Sequence, residues 1–102
     1  MICDIVVSHG GSGTTIAALT RGLPTVAVPM FADQTHNADR LVAAGIGLRV
    51  DPRQVEQHLT SAIGQVLRDP TYRINARQSA ADIATRPTPT QALNRIRTIL
   101  AR

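Results

Sequence analysis

The apolar run ICDIVV (residues 2–7) is followed, after one serine, by HGGSGTT (residues 9–15), which holds one imidazole, three glycines and three hydroxyls. The run is rich in β-branched residues and suits a strand buried on both faces. Residues 14–21, TTIAALTR, have helical composition, and GLP (residues 22–24) stops them. Gly22 can take the left-handed position after the helix, Leu23 the apolar contact that follows it, and Pro24 cannot continue a helix. A buried strand, a glycine turn and a helix in direct succession leave few folds open. The unit belongs in a parallel sheet covered by helices.

The rest of the chain repeats that rhythm. Thr25 to Val28 reads as a second strand closed by Pro29, and a helix from about Thr35 to Ala44 ends at Gly45. Ile46 to Val50 reads as a third strand, with Asp51 and Pro52 opening another helix. In that helix Val55, Leu59, Ile63, Val66 and Leu67 recur at three- and four-residue spacing, an amphipathic face turned to a core. Pro70 starts a further helix to about Ala84; RPTPT (residues 86–90) is a linker, and Leu93, Ile96, Ile99 and Leu100 line a last helix. Alternation of this kind implies parallel strands joined by right-handed crossovers. The expected fold is α/β, about three strands making half of a doubly wound Rossmann-like parallel sheet with flanking helices. At 102 residues the chain is one domain, residues 1–102, with residues 86–102 as linker and C-terminal helix.

Composition narrows the function. The net charge is +4, but all eleven basic residues are scattered arginines, and one Tyr and one Phe give no stacking platform for bases. Nucleic acid is therefore not the expected partner. No apolar run is long enough to span a membrane, and MICDIVV has no basic segment of a signal peptide, so a cytoplasmic location is expected. Cys3 is the single cysteine, read as a buried inert thiol, which removes disulfides and cysteine-rich metal sites.

A glycine turn between strand and helix offers free backbone N–H groups and the positive end of a helix dipole to an anion. Gly10, Gly11 and Gly13 let phosphate oxygens approach the main chain. Ser12, Thr14 and Thr15 can add hydroxyl donors or cap the helix. His9, at the carboxyl end of the strand, could donate to a diphosphate oxygen. The same residues also suit a plain tight turn with an N-cap. The spacing G-G-x-G is not the dinucleotide fingerprint, and the lysine of a P-loop is missing. No nucleophile or carboxylate stands near His9 in sequence, which argues against a catalytic triad.

Three motifs in order, H-G-G-x-G-T (9–14), G-x-P (22–24) and P-x-x-x-D-Q (29–34) with Asn37–Ala38 three residues on, carry a family resemblance. From Cys3 to Val50, and more loosely to the end, the chain resembles the donor-binding C-terminal domain of GT-B nucleotide-sugar glycosyltransferases. It is most similar to the bacterial enzymes that glycosylate macrolides, enediynes and other natural products. The resemblance implies that His9, Gly11, Ser12, Gly13 and Thr14 hold the donor diphosphate, and that Asp33 and Gln34 hydrogen-bond hydroxyls of the donor sugar. Taken alone, Asp33 would equally serve as a helix cap, and Asn37 reads as pinning its loop.

One position departs from the wider family. Plant relatives place a ribose-gripping glutamate eight residues after the motif histidine, where this chain has Ala17. A deoxyribose donor such as a thymidine diphosphate sugar is then easier to accept. The resemblance starts in the middle of the donor domain, so the chain is expected to be a piece of such an enzyme, inactive alone and without a catalytic residue of its own. It further implies transfer of a sugar from a nucleotide diphosphate to a small-molecule hydroxyl, with inversion, without a metal or other cofactor, and with an N-terminal acceptor domain outside this chain. A non-catalytic nucleotide-binding module, or the donor subunit of a two-chain transferase, is the alternative. Strand 2–7 would become an apolar sheet edge, through which self-association is expected, with the last helix exchanged between copies.

Overall fold

The first strand is shorter than its apolar run. The computed structural model describes residues 4–101, and only the backbone of Ala32, Asp33 and Ala101. Within it, β1 covers Val6–Ser8, so the expected residues 2 and 3 lie outside what is described and the strand runs one residue past Val7. Helix α1 (Ser12–Arg21) leads to β2 (Thr25–Ala27), and α2 (Ala32–Ala43) to β3 (Gly47–Arg49). A 3-10 turn at Pro52–Gln54 introduces α3 (Val55–Arg68), which is followed by α4 (Pro70–Ala84) and α5 (Pro89–Ala101).

The strands are parallel in the order β1-β2-β3, with Val7 beside Val26 and Val26 beside Leu48. The two faces of the sheet hold separate cores. Val26, Val28 and Val50 pack with Val66 of α3 and, more exposed, Ile5, Leu48, Val55 and Leu59. On the other face Leu19, Leu41, Ile46, Ala76, Ile83 and Ile96 join α1, α2, α4 and α5. β1 pairs on one side only among the described residues, and Val7 on it is 46% exposed, so it is the expected sheet edge.

Local chemistry explains the boundaries. Gly22 takes φ 68° and its N–H returns to the last turn of α1, so that helix ends where anticipated. Pro70 is the first residue of α4, and the Asp69 carboxylate accepts from Thr71 N–H at 2.9 Å. These bonds from Thr71 hold the Asp69 carboxyl below its ordinary range.

Helix α5 packs on α2 and α4 of its own chain and buries Ile96, with Ile99 and Leu100 against the same core. A seat for it is therefore present on these 102 residues. The seat is fixed by Asp82 of α4, which accepts from Arg86 at 2.7 Å and from Arg95 of α5 at 2.5 Å. The bond from Arg95, and then both arginine charges, hold the Asp82 carboxyl below its ordinary range.

The folded state thus binds this proton less readily than the unfolded chain. The stabilisation is complete above the ordinary Asp value of about 3.9 and is lost as pH falls through the lower folded value. Thermal melts should show Asp82→Asn lowering Tm at neutral pH and flattening the acid limb of Tm against pH. An unchanged acid limb would remove the clamp from the stability account.

Candidate functional site

The carboxyl ends of β1 and β2 open onto a cavity of about 580 Å³, lined by His9, Gly11, Thr14, Gln34 and, from α3, Val55 and Leu59. Its floor is the glycine turn. Gly11 is the N-cap of α1 with extended backbone and no side-chain cap bond; the first helical bond runs from Thr15 N–H to the Gly11 carbonyl at 2.9 Å. Neither Ser12, Thr14 nor Thr15 caps this helix, which corrects the sequence expectation. Thr15 is buried on the face it shares with Ala18 and Leu19, whereas Ser12, Gly13 and Thr14 are exposed. The N–H groups of the first turn, which no intrahelical carbonyl can reach, remain open to an anion.

The glycines of the turn are not equivalent. Gly10 has φ 84°, and a Cβ there would lie 2.9 Å from the Gln34 carbonyl oxygen, so the fold itself requires glycine. At Gly11 and Gly13 a Cβ would meet nothing within 4 Å among the described residues. Packing does not demand bare backbone at those two positions.

His9 is held by a backbone group with no signature in sequence. Its Nδ1 lies 3.1 Å from the Val28 carbonyl oxygen, which can only accept, so Nδ1 carries a proton. The second ring nitrogen is left for a ligand. Ser8 was also missed: its hydroxyl accepts from Gly10 N–H at 3.1 Å and tightens the corner between strand and turn.

On the opposite wall, Gln34 is the third residue of α2. Its Oε1 accepts from Met30 N–H at 2.9 Å and Phe31 N–H at 3.3 Å, the backward half of a capping box. Both partners are donors, so the amide orientation is determined and Nε2 is the atom left to donate to a ligand. Asp33 is the second residue of α2 and not its cap; its side chain lies outside the described residues. One turn on, Asn37 is 6% exposed and donates from Nδ2 to the Gly10 carbonyl at 2.8 Å. It pins the glycine turn to α2, where the sequence reading had it pinning its own loop. Val55 and Leu59 were legible only as core positions, because their spacing says nothing of the cavity they also line.

The geometry brings His9, Gly11, Thr14 and Gln34 to one cavity, with Ser12 and Gly13 on its exposed helical rim. Comparison with known proteins supplies the family. Residues 1–99 match the family described as "Erythromycin biosynthesis protein CIII-like, C-terminal domain". The chain belongs to this family.

Among its relatives, L-demethylnoviosyl transferase of Streptomyces niveus is 40% identical over 89 residues, covering 85% of this chain and 23% of that protein. The solved structure of spinosyn forosaminyltransferase SpnP superposes with TM-score 0.80 at 26% identity, covering 98% of this chain and 27% of that one. Spinosyn rhamnosyltransferase SpnG, in complex with thymidine diphosphate, gives TM-score 0.78 at 31% identity, covering 92% and 26%. The three parallel strands and their helices are thus the matching part of GT-B glycosyltransferases that act in bacterial natural-product biosynthesis, as the motifs implied. The chain spans about a quarter of the length of these relatives. Among the described residues no helix is long and apolar enough to cross a membrane.

Proposed function

We propose that this chain is the donor-binding part of a nucleotide-sugar glycosyltransferase that transfers a sugar to a hydroxyl of a small-molecule acceptor. The acceptor site and the catalytic base lie outside these 102 residues. The donor diphosphate sits on the first turn of α1, against the N–H groups after Gly11, the hydroxyls of Ser12 and Thr14, and the His9 ring. The observation that carries this reading is the contrast among the glycines. Gly10 is required by its own conformation, while Gly11 and Gly13 are bare where the protein leaves room for a side chain. A ligand that presses on the main chain accounts for that.

Gln34 donates through Nε2 to a hydroxyl of the donor sugar, and Asp33, beside it on α2, accepts from another. The binding mode needs no metal, since backbone dipoles and an imidazole meet the phosphate charge. Ala17 presents no carboxylate to a ribose hydroxyl, which favours a thymidine diphosphate sugar over a uridine one.

Calorimetric titration of the intact protein with thymidine and uridine diphosphates, and with their sugars, tests the reading. Binding of both, tighter for thymidine, is the expected result; a folded protein that takes up neither would refute it. Gln34→Glu keeps an oxygen for the cap but loses the donor, so nucleotide-sugar affinity should fall by about tenfold beyond any loss for the bare nucleotide. Equal losses for both ligands would remove Gln34 from the sugar.

A further inference from the structure

We infer that Asn37 is a positioning residue that aims the Gly11 N–H at the donor diphosphate; this rests on the proposed donor-binding function. The Gly10 carbonyl and the Gly11 N–H belong to one trans peptide plane and point in opposite directions across it. A bond that fixes the first therefore fixes the second. Asn37 Nδ2 donates to the Gly10 carbonyl at 2.8 Å from a side chain only 6% exposed, where little water competes. The Gly11 N–H is thereby turned away from Asn37, to the open side of the turn where Gly11 lines the cavity.

Gly10 and α2 are also closely packed. Gly10 lies so close to α2 that a Cβ on it would stand 2.9 Å from the Gln34 carbonyl oxygen, one helical turn before Asn37. The same turn of α2 thus presses on Gly10 and grips its carbonyl. The segment assigned to the sugar and the segment assigned to the phosphates are in consequence one rigid unit. Asn37 touches no ligand in this arrangement. It acts on affinity through the orientation of a single donor, held in advance of binding.

The test is thermodynamic and uses the intact protein with thymidine diphosphate and inorganic pyrophosphate as probes. Asn37→Asp is nearly isosteric but replaces the donor with an oxygen facing an oxygen. It should weaken both probes by about tenfold or more, by similar factors, because the Gly11 N–H meets phosphate and not base or sugar. Leu41→Ala, in the core of the same helix and 2% exposed, is the control for stability alone: it lowers Tm but leaves both affinities within about twofold.

Should N37D not fold, N37A carries the same comparison without a buried charge. Wild-type affinity in an Asn37 variant whose Tm has fallen would overturn the positioning role and leave the donor site standing. Failure of the wild-type protein to bind either probe would overturn the donor site, and the positioning role with it.

Discussion

Gly47→Ala is expected to destabilise the chain severely. Gly47 lies beside Thr25 in the β2–β3 ladder, and a Cβ there would come 2.1 Å from the Thr25 carbonyl oxygen and 3.1 Å from its carbonyl carbon. Both obstacles are backbone. Thr25, Val26 and Ala27 are each fully buried at the centre of a three-stranded sheet, so β2 has nowhere to retreat. Relief would require opening the ladder that joins the two cores. A change of that kind belongs with the large overpacking effects, about 4 kcal/mol or more, against a total stability of about 5–15 kcal/mol.

The same substitution has the opposite sign elsewhere. Gly64 lies within α3, where a Cβ would meet only the far end of the Arg68 side chain at 2.9 Å. That guanidinium can swing aside, and Gly64→Ala should stabilise the helix by about 1 kcal/mol. Thermal melts and soluble yield of the two variants check the pair. A soluble Gly47→Ala protein with a wild-type melting transition would contradict the account of the sheet.

How much of this was readable from sequence depends on whether a feature announces itself in side chains. Gly22 and Pro70 mark a helix end and a helix start by their own backbone restrictions, and the structure places both where the letters did. Strand ends were less legible. Ile46, Val50 and Val28 are apolar and buried, so they extend the apolar runs, yet they lie just outside the paired segments and serve the cores. The start of α1 at Ser12 was placed two residues late, because a hydroxyl was expected to cap it. The cap is Gly11, defined by its dihedral angles alone.

Within the site, His9 and Gln34 were legible as chemistry but not as oriented groups. Their orientations come from the Val28 carbonyl and from the Met30 and Phe31 N–H groups, and a backbone partner leaves no trace in sequence. The seat of α5 was not legible for a related reason. An apolar stripe shows that a helix must be covered, not by what, and the cover proved to be α2 and α4 of the same chain.

The orientation of His9 leads to the prediction with the greatest bearing on the site: removing its ring should weaken binding of a nucleotide sugar, and a side chain that can donate should restore part of it. Nδ1–H is committed to the Val28 carbonyl, so in a neutral ring Nε2 holds only a lone pair. Phosphate oxygens are acceptors too, and two acceptors facing each other repel. A hydrogen bond from His9 to the diphosphate therefore requires the imidazolium. No Lys, Arg, Asp or Glu is among the described residues that line this cavity. His9 is therefore the one cationic side chain among them that can meet the anion.

A nucleotide sugar is the right probe, because its diphosphate is the group the ring is assigned to meet, and calorimetric titration at a single pH reads its affinity. His9→Ala should weaken binding by about ten- to a hundredfold, as for a charge-assisted hydrogen bond. His9→Gln, whose amide can donate without a charge, should recover part of the affinity. Wild-type affinity in a folded His9→Ala protein would mean that Nε2 does not meet the phosphate, and that the turn of α1 holds the anion without it.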